Sequence, residues 1–316
     1  MSLLVVGTVA YDTVTTEAGF RRDSLGGSAT YFSISSSFFT KVDMIAIVGD
    51  DFTSDDRNLL NSFGINTAGL ETAEGKTFRW QAIYDSKNLN NRETIDTQLN
   101  VFGDFAPKLT NSQRDSEYLF LGNIDPNLQL KVLDQMNSRP KFVGLDTMDL
   151  WINDNHEKLS ETIGLIDILF VDDREVKSFT QENNVYEAAK TILEMGPKAV
   201  VVKKGEHGVL LFNESDIFAV PAFPITDVVD PTGAGDCFAG GFMGYLANTR
   251  DQSTVGLRRA AIAGTVMGSL AVEEFSTQKF SSVSSEIINE RFRKILTMST
   301  FDPLVDRDAI EILDPN

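Results

Sequence analysis

Two aspartates enclose a run of small residues at Asp230-Pro231-Thr232-Gly233-Ala234-Gly235-Asp236, and an apolar helical pattern follows through Cys237, Phe238, Ala239, Phe242, Met243 and Leu246. Without a Cβ, Gly233 and Gly235 let the backbone turn sharply and bring its N–H groups close to an anion. A helix starting there adds roughly half a positive charge at its N-terminus. Phosphate binding is the chemistry these features offer. Asp236 falls in the first helical turn, where a carboxylate repels phosphate unless it takes a proton from a nucleophile attacking phosphorus. The plainer alternative is a glycine-rich turn in which Asp236 merely favours the helix dipole.

The elements that would position these residues can be read from hydrophobic patterning. Strand-like apolar runs recur at 3–6, 44–48, 118–121, 142–145, 166–171, 199–203 and 209–212. Between them lie helical patterns at 29–39, 55–63, 129–136, 185–195 and 257–272. This alternation predicts an α/β fold with a doubly wound, mostly parallel sheet flanked by helices. Residues 76–104 break the pattern. They alternate as Thr77-Phe78-Arg79-Trp80-Gln81-Ala82-Ile83-Tyr84, pass through a polar turn-rich stretch at 86–92, and resume at 94–102, which predicts an antiparallel hairpin. A second short strand pair is expected over 12–25, and the acidic C-terminal residues 295–316 read either as a final helix and tail covering the sheet edge or as frayed chain.

Composition bounds the function. With 316 residues, 42% of them apolar, the chain can bury a large core, and its formal charge of −18 argues against nucleic-acid or anionic-membrane partners. The single cysteine, Cys237, rules out an intrachain disulfide framework. No apolar run reaches the ~18 residues needed to span a bilayer, and Leu3-Leu4-Val5-Val6 starts a strand without a signal-peptide pattern. A soluble, cytoplasmic protein is expected.

The string from Asp230 to Asp236 resembles the D-T-x-G-A-G-D signature of the ribokinase-like (PfkB) family of carbohydrate and nucleoside kinases, with Pro231 in its second place. The resemblance implies that Asp236 is the catalytic base and that the backbone of Gly233, Ala234 and Gly235 forms the anion hole for the transferred phosphoryl group. Gly26-Gly27-Ser28-Ala29-Thr30-Tyr31 resembles the family's G-G-x-x-x-N motif and implies that Gly26, Gly27 and Tyr31 line the substrate site. Tyr31 replaces the usual Asn, exchanging an amide for a phenol that donates one hydrogen bond or stacks on a ring. Asp12 matches the acid that holds two substrate hydroxyls, a task suited to a planar, charge-assisted acceptor; read alone, it is a turn former.

Asp172-Asp173-Arg174-Glu175 resembles N-x-x-E, with Asp172 for Asn, and implies that Asp172 and Glu175 organise Mg²⁺, water and phosphate as metal ligands. The same residues serve equally as a capping box. Lys203-Lys204-Gly205-Glu206-His207-Gly208 stands in the place of T-x-G-x-x-G, which implies that Lys203, Gly205 and Gly208 meet the nucleotide. The 12–25 and 76–104 segments then correspond to a small β lid in a single domain spanning 1–316, with Arg92, Asn90 and Asn91 facing the acceptor.

The expectation is an ATP- and Mg²⁺-dependent kinase that phosphorylates a hydroxyl of a small sugar or cyclitol. Trp80, Tyr31 and Phe102 leave an adenosine-like nucleoside open as acceptor, and the two missing Asn residues leave open a nucleotide- or sugar-binding protein that has lost turnover. A monovalent-cation requirement and a homodimer formed through the lid are likewise open.

Overall fold

The computed structural model describes residues 2–300; of the C-terminal segment read over 295–316, residues 301–316 lie outside the described residues. In chain order the strands are β1 (Ser2–Val6), β2 (Ala10–Thr16), β3 (Gly19–Gly26), β4 (Lys41–Gly49), β5 (Asn66–Ala73), β6 (Phe78–Asp85), β7 (Asn88–Gln98), β8 (Tyr118–Leu121), β9 (Phe142–Asp146), β10 (Ile168–Asp172), β11 (Ala199–Lys203), β12 (Val209–Asn213) and β13 (Asp216–Val220). The helices are α1 (Ser28–Ser37), α2 (Ser54–Ser62), α3 (Pro126–Asp134), α4 (Asp149–Asp154), α5 (His156–Ile163), α6 (Asp173–Thr180), α7 (Val185–Glu194), α8 (Ala234–Thr249), α9 (Thr254–Ala271) and α10 (Ser285–Ser299).

Nine strands form one sheet in the order β13-β12-β11-β10-β9-β8-β1-β4-β5. The pairs from β11 through β5 are parallel, whereas β12 and β13 add antiparallel strands at one edge. The uninterrupted β-α alternation read from the sequence therefore ends at β11, where a tight turn replaces a crossover helix. Central strands such as β1, β8 and β11 are buried apolar runs, as strands covered on both faces must be. Their period of two divides the core. Leu3, Val5 and Val201 join α1, α8 and α9 on one face, while Leu4, Val6, Val200 and Val202 join the opposite cluster with residues of α5, α6 and α7.

Helix α1 is buried on nearly all sides despite its serines. Ser35 donates to Cys237 O and Ser36 to Phe32 O, which satisfies these two hydroxyls, whereas those of Thr30 and Ser33 are buried without a partner. Phe32 stacks on Phe120 with ring centroids 3.9 Å apart, fixing α1 on the sheet.

A second sheet, β3-β2-β6-β7, forms the lid. Its base is tied to the core by Thr77, whose N–H and hydroxyl both donate to Asp51 Oδ1 at 2.7 Å while the hydroxyl accepts from Gly49 N. Arg79 adds an ion pair to the other Asp51 oxygen at 2.8 Å. The hairpin differs from its sequence reading. The turn shrinks to Ser86-Lys87, β7 runs from Asn88 to Gln98, and residues 100–104 form a 3₁₀ turn that buries Val101 and Phe102. Both faces of β7 meet solvent, so its Asn-rich segment lacks the alternation that would have marked it as a strand.

Candidate active site

The site lies where the C-terminal ends of β9, β10 and β11 face the first turn of α8 and the underside of the lid. Gly233 caps α8 in the left-handed region, with φ 74°, and Cys237 N donates to its carbonyl at 2.8 Å to start the helix. A Cβ on Gly233 would collide with the Tyr31 ring, so the residue must be glycine on conformational and steric grounds alike. Ala234 N–H is already turned onto Pro231 O at 3.2 Å. Among the described residues Gly233 and Gly235 have no such backbone partner, so theirs are the amides available to an anion.

Asp236 stands in that first turn with its carboxyl pushed up to about 7, first by burial and then by the negative charge of Asp146, with Lys203 and Arg92 pulling the other way. A base with a pKa near the working pH is well matched to removing a hydroxyl proton. A carboxylate in that role must be ionised, so if Asp236 is the base, activity falls as pH drops through about 7. The acid limb of a kcat/KM profile reads this directly, and a limb near the ordinary carboxylate range would assign it to another group.

Asp12 sits within β2, beside a register shift between Asp12 and Val14, and is 4% exposed. Burial, with Asp230 and Asp236 adding repulsion, raises its carboxyl to about 8 against the pull of the Gly27 N–H. A Cβ on Gly26 would run into this carboxylate, and one on Gly27, at φ 92°, would strike the Thr8 backbone. Tyr31 reaches the site only from below. Its ring supports Gly233, and its buried hydroxyl has no hydrogen-bond partner. Arg92 lies on the lid, its guanidinium 5.8 Å from the centre of the Trp80 ring, with its charge felt at both Asp236 and Tyr84. Tyr84 in turn accepts a hydrogen bond from Thr232 at 3.1 Å, linking the lid to the signature loop.

On the other side, Asp172 and Glu175 build the capping box of α6. Asp172 Oδ1 accepts from Arg174 N (2.7 Å) and Glu175 N (2.8 Å), and Glu175 Oε2 accepts from Asp172 N at 2.7 Å. Burial raises the Glu175 carboxyl to about 8. Gly205 and Gly208 lie in the loop from β11 to β12, both at positive φ, and Gly208 is pressed against Val220 O of β13. The lid tip reaches this loop. Asn90 is packed so closely on Gly205 that a Cβ there would strike its side chain, and Arg174 donates to Asn91 Oδ1 (3.3 Å) and Asn90 O (3.4 Å).

Lys203 is brought directly to the anion hole, its Nζ 3.1 Å from where a Cβ of Gly235 would stand. Its partner is Asp146, at 3.1 and 3.4 Å from the two carboxylate oxygens, a residue that the sequence motifs did not single out. The available signal was an acid closing an apolar strand, the same pattern that marks Asp172 after β10.

Free amides at a helix N-terminus, a buried carboxylate in the same turn and an adjoining acid-lined, lidded region are the features expected of a phosphotransferase of ribokinase-like fold. The profile of the pfkB family of carbohydrate kinases matches residues 3–283, and the chain belongs to that family. Its members are ATP-dependent kinases that phosphorylate hydroxyl groups of sugars and nucleosides. A cytidine kinase of Thermococcus kodakarensis is 30% identical over 272 residues, covering 82% of this chain and 95% of that protein. An inositol 3-kinase of Arabidopsis thaliana is 22% identical over 313 residues, covering 92% of this chain and 80% of the other. A crystal structure from Escherichia coli, assigned as ribokinase II and in complex with ATP and Mg²⁺, superposes with a TM-score of 0.75 at 20% identity, covering 93% and 99% of the two chains. No helix among the described residues is long and apolar enough to cross a membrane.

Proposed function

We propose that this chain, acting as one catalytic unit, transfers the γ-phosphoryl group of ATP to a hydroxyl of a ribose-bearing acceptor, with a nucleoside preferred to a free sugar. The observation that carries the reaction type is Asp236 beside the unpartnered amides of Gly233 and Gly235. Asp236 takes the proton of the acceptor hydroxyl as the oxygen attacks phosphorus in line, and the bond to the ADP oxygen breaks. The amides and the dipole of α8 hold the charge that develops on the phosphoryl oxygens. Asp12 orients the acceptor through its hydroxyls, and the closed lid keeps out water, the competing acceptor.

Magnesium fits this site as an ion delivered with the nucleotide. Asp172 Oδ1 and Glu175 Oε2 already serve the helix cap, and no group of three His, Cys, Asp or Glu among the described residues is arranged to hold a metal. Mg²⁺ keeps several waters and takes one or two carboxylates plus substrate phosphates, so Asp172 and Glu175 would hold it largely through water. When bound, it neutralises phosphate charge. Lys203, Gly205 and Gly208 form the nucleotide side of the cleft.

The nucleoside preference is supported by an apolar wall close to Asp12. Val14, Tyr84 and Phe275 form a buried cluster there, with the partly exposed Trp80, Leu89 and Val229 packed against it as apolar area that a flat base could cover, and the cytidine kinase relative agrees. The inositol 3-kinase relative supports a cyclitol or sugar as the second reading. A coupled assay of ATP turnover with nucleosides, pentoses and inositols decides: turnover confined to polyols lacking a base would overturn the preference.

We place a homodimer contact on the lid, where Phe20, Ile83 and Ile95 stand exposed on β3, β6 and β7. Sedimentation of Ile95→Glu beside the parent chain is expected to show a dimer becoming a monomer. A monomeric parent chain refutes the contact.

A further inference from the structure

Asp146 and Lys203 form an ion pair that nothing in the signature motifs predicts. They close β9 and β11, two strands separated by β10, so their side chains meet across the end of the intervening strand. The Asp146 side chain is 7% exposed and that of Lys203 17%, so the pair is largely removed from water. Asp146 Oδ1 also accepts from Thr147 N at 3.1 Å, which fixes the carboxylate from its own backbone. The Lys203 stem runs beneath the first turn of α8, with Cδ and Cε 3.7 and 3.8 Å from the Gly235 Cβ position. Burial opposes the Lys203 charge, but Asp146, Glu175 and Asp236 outweigh it and hold the ammonium above its ordinary range.

A buried ion pair is a poor way to gain stability, since the desolvation of two charges offsets most of their attraction. It is a good way to hold a cation at a fixed point in a site where water is excluded. We propose that Lys203 is a catalytic cation that contacts the phosphoryl group during transfer, and that Asp146 is the positioning residue that aims its ammonium at the anion hole. The inference rests on the kinase reading above. As the acceptor oxygen bonds to phosphorus and the ADP oxygen departs with the electron pair, Lys203 exchanges part of its contact with Asp146 for the phosphoryl oxygens. The acceptor proton goes to Asp236.

The pair also sets the charge around the base. Asp236 is faced by Asp12 from β2, Arg92 from β7, Asp146 from β9 and Lys203 from β11, with Glu175 of α6 beyond Lys203. Removing Asp146 takes away a negative neighbour, and removing Lys203 takes away a positive one. The two substitutions therefore displace the acid limb of the pH profile in opposite directions, which general damage to the site would not do.

The test compares Asp146→Asn, Lys203→Met, Lys203→Arg and the double variant Asp146→Asn/Lys203→Met in the full chain, with MgATP and cytidine or whichever acceptor the screen returns. Lys203→Met is expected to lower kcat about 100-fold or more, with its acid limb displaced to higher pH and partial rescue in Lys203→Arg. Asp146→Asn is expected to lower kcat about 10-fold with KM for ATP within about threefold, its limb moving to lower pH. The double variant should be no worse than Lys203→Met alone, since the two residues act as one unit. Asp146→Asn with the parent kcat and an unmoved limb overturns the proposal, as does a double variant whose loss is the product of the single losses. If Asp146→Asn fails to fold, the direction of the Lys203→Met limb and the Arg rescue decide in its place. Failure of the kinase reading looks different: there the parent chain transfers no phosphoryl group from MgATP to any acceptor in the screen.

Discussion

Asp236→Asn lowers kcat by roughly 10²–10⁴-fold, toward the upper end, while ATP affinity measured by calorimetry stays within about threefold. Asn has the shape of Asp and can sit in the first turn of α8, but it takes no proton. The structure also supplies a control for folding. Burial and Asp146 raise the Asp236 carboxyl in the native protein, so above about pH 7 the folded state carries an ionised group that its surroundings disfavour. A raised carboxylate pKa means stability present at low pH and lost as pH rises through the folded value. Asn has no such charge. The variant is therefore expected to melt no lower than the parent at pH 8, so that lost turnover is not lost structure. Retention of more than a tenth of the parent kcat would remove Asp236 from the base role.

Gly233→Ala is expected to cost about 10²-fold in kcat together with about 2–4 kcal/mol of stability. Two effects act at one atom. The left-handed φ of 74° disfavours any Cβ, and the new methyl group would occupy the space of the Tyr31 ring. Relief at either end alone is incomplete, because moving the ring disturbs α1 and moving the turn displaces the amides that face the phosphate. Tyr31→Phe is the companion measurement. The Tyr31 hydroxyl is buried without a partner, so deleting it is expected to leave stability unchanged or raise it by about 1 kcal/mol, while the ring keeps supporting the turn. If urea midpoints place Gly233→Ala within about 0.5 kcal/mol of the parent, the steric reading of the turn is wrong.

The parts of the site that could be read in the sequence are those that depend on local backbone chemistry. A glycine that must turn and a helix that must start leave residue-type signatures within a few positions, which is why residues 230–236 announced themselves. Asp172 and Glu175 show the limit of that legibility. The same two carboxylates suit a helix cap and a nucleotide site equally in sequence, and only the observed hydrogen bonds show that the cap is built. Asp146 was missed because its meaning is not local. It acquires a partner 57 residues away through sheet order, and strand order has no short-range signature. The same reasoning covers β7, whose polar residues face solvent on both sides, and the edge strands β5 and β13, whose exposed faces dilute the apolar run. Tyr31 was legible as a departure from an expected Asn, but not that its ring would sit against Gly233, which depends on how α1 packs beneath the signature turn.

The tip of the β6–β7 hairpin rests on Gly205 and Arg174, and so bridges from the half of the site proposed for the acceptor to the half proposed for the nucleotide. Two ligands then share a single door. On the proposed reading, neither product would depart while the hairpin stays down, and whichever occupant still held it would detain the other. Turnover in such an enclosure is paced by the slower leaver, and the second exit follows without a separate gate.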